Sequence, residues 1–222
     1  MAGIAQPRGT KGSLKWIQIA VNDKPAVLDA AIRCAANIHG PINWRSPLCS
    51  DGYAEYRDAG FLQQLDCSHL KPALTEFWPQ RGPQWDGLAM AGSTRLLLEA
   101  KSHISEMCTP QSTAGTGSKA RILASLARTS DELNANPAVP WGAYFYQLAN
   151  RMAHLWFLSS HGIDARLVLL NFLDDLEQGG PHSAAEWEAA YELAGHVLGL
   201  PKQHKLTRNI VHVHLSVRSL MN

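Results

Sequence analysis

The chain lacks several patterns that would assign it to a common class of protein. Its four cysteines form no Cys-x-x-Cys pair and no zinc-ligand spacing, so the usual sequence signature of a structural zinc site is absent. No apolar run approaches the roughly 20 residues of a membrane-spanning helix, and the first residues have no apolar segment of the kind found in signal peptides. We therefore expect a soluble cytoplasmic protein with free thiols and no membrane partner.

A strong charge of either sign is also missing. The chain has 20 Lys and Arg residues against 19 Asp and Glu residues, a formal net charge of +1. Binding of nucleic acid would therefore depend on local basic patches. The length of 222 residues is ample for one hydrophobic core. We predict a flexible N-terminal tail over residues 1–13, which is polar and contains glycine, and a single α/β domain over residues 14–222.

The most informative pattern is an apolar run that ends in charge. Three leucines, 96–98, lead directly into Glu99, Ala100 and Lys101. Unpaired charge in a buried strand is costly, so this pattern favours a functional role for the two charged residues. On a strand, Glu99 and Lys101 point to one face, and Ala100 points to the other face, where it can pack in the core. A turn over residues 90–94 predicts a hairpin that brings Asp86 back toward Glu99.

Two carboxylates and an amine at one end of a sheet suit metal-assisted chemistry. Asp86 and Glu99 offer oxygen ligands of the kind that Mg²⁺ or Mn²⁺ prefers, and the Ala100 carbonyl is a further candidate ligand. Lys101 could orient or deprotonate a water molecule, or stabilise charge on phosphorus. The pattern thus predicts hydrolysis of a phosphodiester. The alternative is a surface ion pair between Glu99 and Lys101 at a strand end.

Asp86, followed after thirteen residues by Glu99-x-Lys101 on an apolar strand, resembles the PD-(D/E)XK nuclease superfamily. The resemblance covers about residues 50–175 and implies a restriction-endonuclease-like core, here with N- and C-terminal additions. It implies a mixed sheet flanked by helices, a Mg²⁺ or Mn²⁺ cofactor, and a nucleic-acid substrate, with DNA weakly favoured over RNA. Trp85 stands where many members have the proline of the motif.

Members of the superfamily usually carry an acid on a preceding helix. We predict a helix over residues 53–65, which makes Glu55 a candidate metal ligand. The alternative for Glu55 is simple pairing with Arg57 or a lysine. Glu76 competes for the same role, but it lies only ten residues before Asp86, and this spacing leaves little room for an intervening strand.

Members also often carry a glutamine or a basic residue on the helix that follows the Glu-x-Lys strand. A predicted helix over residues 142–160 has a polar and aromatic stripe at spacings of three and four residues. A stripe of this kind is either a solvated face or part of a site. Gln147 matches the glutamine of the family best. The stripe consists of Tyr144, Gln147, Asn150, Arg151 and His154.

Histidine and tryptophan residues outside the trio are further candidates for a site. His212 and His214 lie on one face of the last strand, and we interpret them as an exposed face, with a metal site as the alternative. Trp78 and Trp85 are candidates for stacking on bases, with a structural role as the favoured alternative.

The predicted elements are a strand over 14–21, a helix from Pro25, a strand over 165–172 joined by a parallel crossover, a helix capped by Ser183, and a strand over 209–217.

Two functions are consistent with these patterns. The first is a metal-dependent, nuclease-like phosphodiester hydrolase that acts on nucleic acid, with Asp86, Glu99, Lys101 and Gln147 at its centre. The second is a catalytically inactive module of the same fold that binds nucleic acid or protein. The intact trio of Asp86, Glu99 and Lys101 favours the first, and the near-neutral charge favours the second.

Overall fold

The computed structural model describes residues 3–221, so Met1 and Ala2 of the predicted tail lie outside the described residues, as does Asn222. Within residues 3–221 there are eight α-helices and five β-strands. The strands are β1 (Asn43–Ser46), β2 (Gly87–Ala91), β3 (Thr94–Lys101), β4 (Ala165–Leu173) and β5 (Ile210–Ser216). The helices are α1 (Gly12–Asn22), α2 (Pro25–Ala36), α3 (Ala59–Gln64), α4 (Lys71–Phe77), α5 (Thr116–Glu132), α6 (Tyr146–Ser160), α7 (Ala184–Val197) and α8 (Arg218–Met221).

The strands form one mixed sheet in the order β1-β2-β3-β4-β5. The first three strands pair antiparallel, whereas β3, β4 and β5 run parallel. Parallel neighbours need a crossover, and α5 with α6 supplies it between β3 and β4. The prediction of an α/β fold with a mixed sheet flanked by helices is therefore confirmed.

Successive side chains along β2 and β3 point to opposite faces of the sheet, and each face packs against its own hydrophobic core. Leu88 and Leu97 contact the core beneath α3 to α6, whereas Leu96, Leu98 and Ala100 contact the core beneath α1 and α2. Side chains two apart on a strand share a face, and this confirms that Ala100 packs away from its charged neighbours. None of the helices in residues 3–221 combines the length and the apolar character needed to cross a membrane.

The N-terminal region differs from its prediction. Residues 14–21 are not a strand but lie within α1, whose buried residues Trp16, Ile17, Ala20 and Val21 follow helical spacing. A short apolar run does not distinguish helix from strand, and this is why the prediction was wrong. The described part of the predicted tail pairs with the body of the chain, because the Ile4 N–H donates to the Glu55 carbonyl over 2.8 Å. Its flexibility stays a prediction.

The helix predicted over residues 53–65 is also wrong. Only α3 is helical there, and the segment around Glu55 is extended, with bridges from Glu55 to Ile4 and from Tyr56 to Trp85. Tyr53 and Asp58 both have φ of 52°. Left-handed residues of this kind interrupt a right-handed helix, so α3 begins only after Asp58.

The C-terminal half follows its prediction more closely. Strands β4 and β5 occupy nearly the predicted residues, and in the N-terminal half helix α2 begins at Pro25 as predicted. Helix α7 begins with the predicted capping box, in which the Ser183 backbone N–H donates to Glu186 Oε1 over 3.0 Å and the Ser183 side chain accepts from the Glu186 backbone. Helix α6 begins at Tyr146 rather than at residue 142, because Phe145 is left-handed with φ of 52°.

Candidate functional site

Glu99 and Lys101 lie side by side on the face of β3 that packs under α6. Lys101 Nζ is 2.7 Å from Glu99 Oε1, and their side chains are only 7% and 3% exposed. The alternative of a surface ion pair is therefore wrong. Buried ion pairs carry a large desolvation cost.

Asp86 reaches the same place from the neighbouring strand. Gly87 pairs with Leu98, so Asp86 precedes β2 at the level of Glu99 and Ala100. Its Oδ2 accepts a hydrogen bond from the Ala100 N–H over 2.8 Å. Burial raises the pKa of Asp86 well above its ordinary value, and the negative charges of Glu99 and Glu55 raise it further.

Glu55 supplies a third carboxylate. Its Oε2 accepts hydrogen bonds from Gln84 Nε2 at 2.6 Å and from Gln6 Nε2 at 3.3 Å. Burial raises the pKa of Glu55, and the charge of Glu99 also raises it, so the two carboxylates are electrostatic neighbours. Glu76 is exposed on α4 instead. Glu55 is thus the acid near the trio, although it arrives on an extended segment and not on the predicted helix.

Gln147 lies on the first turn of α6 and points toward β3. Its Oε1 accepts a hydrogen bond from Lys101 Nζ over 2.8 Å. Its backbone N–H donates to Thr109 Oγ1 over 2.8 Å, and this bond satisfies one of the free donors at the start of the helix. The structure thus brings Gln147 together with the trio, and the catalytic roles of these residues stay predictions.

Arg151 is the site residue that the sequence analysis did not single out. Its Nε donates to Glu99 Oε2 over 2.6 Å, and its Nη2 donates to the Gln84 carbonyl over 2.7 Å. The guanidinium also lies over the Trp85 ring, 4.8 Å from the centroid. Burial by itself raises the pKa of Glu99, but the charges of Arg151 and Lys101 outweigh burial and lower it.

The signal for Arg151 was present in the polar stripe of α6. Arg151 follows Gln147 by four residues and therefore lies on the same side of the helix. Asn150, Arg151 and His154 are all buried, so the interpretation of this stripe as a solvated face is wrong for those three residues.

His154 is enclosed by aromatic rings behind the site. Its ring centroid is 4.7 Å from that of Trp78 and 6.0 Å from that of Phe77, and its Nδ1 is 2.8 Å from the Asn150 carbonyl oxygen. Burial lowers the pKa of His154 to about 3. Trp78 and Trp85 are themselves 3% and 0% exposed. Both tryptophans are core residues and do not present their rings for stacking on bases.

This buried imidazole predicts a specific pH dependence of stability. We expect the free energy of unfolding to fall as the pH drops from about 6.5, the ordinary histidine pKa, toward about 3, the pKa of folded His154. The unfolded chain takes up a proton in this range and the folded chain does not, so protonation favours unfolding. In the His154→Phe variant this contribution should vanish, as measured by chemical denaturation at a series of pH values.

The exposed His39 provides the matched control. His39→Phe should leave the slope of stability against pH unchanged. A stability difference between wild type and His154→Phe that stays constant across the range would contradict the expectation.

His212 and His214 lie on β5, beyond the trio across the sheet. The register places Glu99, Leu169 and His212 in one row. The predicted exposed face is half-buried, because α7 lays the Tyr191 ring 4.5 Å from that of His212. Burial lowers the pKa of His212 to about 4. Across residues 3–221, no three His, Cys, Asp or Glu side chains are grouped closely enough to form a metal cluster.

Comparison of the chain with protein-family models, curated proteins and solved structures found no match. The interpretation of the site therefore depends on its own geometry and charge. Three carboxylates and two cationic side chains influence one another electrostatically here, although the three carboxylates are not grouped closely enough within residues 3–221 to form a metal cluster as they stand. When all five groups are ionised, negative charge is in excess. Such concentrations of perturbed groups are characteristic of functional sites.

Proposed function

We propose that the chain is a Mg²⁺- or Mn²⁺-dependent phosphodiesterase that acts on nucleic acid, with a restriction-endonuclease-like core. The observation that carries the proposal is the placement of Asp86 against Ala100 and of Glu99 against Lys101 at one end of the sheet, where the charge of Glu99 raises the pKa of both Asp86 and Glu55. A stabilising core has no need of three carboxylates in one place, since burying them is costly. This clustering supports the resemblance to PD-(D/E)XK nucleases on physical grounds.

The donor set has the chemistry of a hard-cation site. Neither Glu55 nor Asp86 forms an ion pair with any of residues 3–221, so neither carboxyl group has a cationic partner that a metal ion would have to displace. A bound cation would favour their ionised form, which burial disfavours. We assign Asp86, Glu99, Glu55 and the carbonyl of Ala100 as the groups that would hold Mg²⁺ or Mn²⁺. When bound, the cation would polarise a phosphoryl oxygen and lower the pKa of a water molecule.

In this proposal Lys101 donates a hydrogen bond to the attacking water or to a phosphate oxygen. A lysine ammonium has three N–H donors. One donates to Glu99 and one to Gln147, over 2.7 and 2.8 Å, so one remains for the attacking water or for a phosphate oxygen. Gln147 and Glu99 thereby orient the amine, and Arg151 in turn holds Glu99.

One observation favours the second candidate, an inactive binding module. Both oxygens of Glu99 are already engaged, one by Lys101 and the other by Arg151. A cation would have to compete with these partners for Glu99. In an inactive module the same arrangement would serve as a buried ion-pair network.

Metal binding and cleavage distinguish the two functions. We expect the wild type to bind Mn²⁺ in calorimetry and to cleave single- or double-stranded DNA or RNA with Mg²⁺ or Mn²⁺ but not with a chelator. Asp86→Asn should lose both activities while the protein stays folded, because asparagine can still accept the Ala100 N–H. Asp131→Asn, at an exposed position on α5, is the control and should retain both. A wild type that neither binds Mn²⁺ nor cleaves any substrate would favour the binding module.

A further inference from the structure

A broad apolar groove opens beside the first turn of α6. Its volume is about 810 Å³, within the range of about 300–1,000 Å³ that is typical of small-ligand sites. We call it the Tyr144 groove. Its lining includes Thr109, Gln111, Ala138, Val139, Tyr144 and Phe145.

Hydrogen bonds link the wall of the groove to the candidate site. Thr109, in its wall, accepts a hydrogen bond from the backbone of Gln147 over 2.8 Å. The side chain of Gln147 accepts one from Lys101 over 2.8 Å. Two successive hydrogen bonds thus connect the groove wall to the amine that we assign to the reaction.

Tyr144 presents its ring to solvent at the groove. It is 62% exposed and is the only aromatic residue among the large exposed hydrophobic side chains of residues 3–221. The next residue, Phe145, is left-handed with φ of 52°, which is strained for a bulky side chain. Strain of this kind persists where the surrounding structure holds it, and it is concentrated at ligand sites.

Positive charge lies at the rim. Lys119 Nζ is 3.3 Å from Oε1 of Gln111, a lining residue. The groove therefore combines an apolar floor, an exposed ring and a cation at its edge. This combination matches a nucleotide of a single strand, which has an apolar face on its base and a negative phosphate beside it.

We propose that the Tyr144 groove binds an unpaired base of a single-stranded nucleic acid, stacked on Tyr144, while the adjacent phosphodiester lies at Lys101. The inference rests on the proposed function and narrows its substrate to single strands or to frayed ends. In a duplex the faces of the bases are stacked on one another and do not reach such a groove.

The test measures binding without turnover. Fluorescence anisotropy of labelled oligothymidine, in the presence of a chelator, is compared with that of a duplex of equal length. Tyr144→Ala should weaken oligothymidine binding by about 5- to 150-fold, the effect of losing one stacked base. Tyr144→Phe should bind as the wild type does, because it keeps the ring. Met221→Ala removes a side chain of similar exposure on α8 and should have no effect.

The outcomes separate this inference from the proposed function. If the wild type does not bind oligothymidine, or if Tyr144→Ala binds it equally well, the inference is overturned even where cleavage is observed. If an apolar peptide and not oligothymidine binds through Tyr144, the groove belongs to a protein partner and the inference is again overturned. Tyr144-dependent binding without any cleavage supports the groove and counts against the phosphodiesterase.

Discussion

Replacing Lys101 by alanine is expected to lower metal-dependent cleavage by about 10²–10⁴-fold, the usual contribution of a positioned proton-transfer group. The protein should stay folded and still bind Mn²⁺, because Glu99 keeps its hydrogen bond from Arg151 and the carboxylates are untouched. The measurements are single-turnover cleavage, Mn²⁺ calorimetry and circular dichroism. This pattern differs from that of Asp86→Asn, in which metal binding itself is lost.

Two further variants test whether a loss of cleavage is caused by loss of the Lys101 amine and not by damage to packing or by removal of any lysine. Lys101→Met fills the space of the lysine stem, so it should lose cleavage with less damage to packing. Lys11→Ala removes an exposed lysine before α1, on the opposite side of the sheet, and should cleave at the wild-type rate. Wild-type cleavage by either Lys101 variant would show that this amine has no part in the reaction.

Replacing Arg151 by methionine is expected to reduce the free energy of unfolding by about 3–5 kcal/mol, the typical cost of breaking a buried ion pair from one side. The change leaves Glu99 Oε2 without its partner, and it also leaves the Gln84 carbonyl without its donor. Glu99 Oε2 is then buried and unsatisfied, and the partly buried Gln84 carbonyl loses its donor. Urea denaturation monitored by tryptophan fluorescence and by circular dichroism measures the loss.

Arg128 is a close match for Arg151. Its guanidinium lies 4.9 Å from the Trp156 centroid, as that of Arg151 lies 4.8 Å from Trp85, but Arg128 is exposed. Arg128→Met should therefore cost less than about 1 kcal/mol. Combining Arg151→Met with Glu99→Gln should cost less than the sum of the single changes, since the interaction is shared. An Arg151→Met protein as stable as the wild type would contradict the expected role.

Some features of the site could be predicted because they are set by local patterns. The apolar run before Glu99 and the alternation of Glu99, Ala100 and Lys101 define a strand and its two faces without knowledge of any partner. A short turn determines the hairpin that brings Asp86 close. Helical spacing placed Gln147 in a polar stripe, and the resemblance to PD-(D/E)XK nucleases selected it from that stripe.

Other features depend on contacts that local patterns do not contain. Arg151 and Glu99 are separated by 52 residues, and the polar stripe of α6 is equally consistent with solvent or with a buried site until the sheet is assembled. Glu55 reaches the site on extended backbone because Tyr53 and Asp58 adopt left-handed conformations. Neither residue is a glycine, the residue type that most readily adopts a positive φ, so residue type did not indicate that the helix would be interrupted here.

The agreement between strand order in the sheet and strand order in the chain has a consequence for synthesis. Each strand pairs with the one made before it, so β3 remains an edge strand until β4 emerges from the ribosome. The 72 positions that separate Lys101 from Leu173 take about 4–14 seconds to translate at roughly 5–20 residues per second. Throughout that interval the unpaired backbone N–H and C=O groups of β3 have no partner strand on that side, so this edge is available for mispairing with other chains and for binding by chaperones.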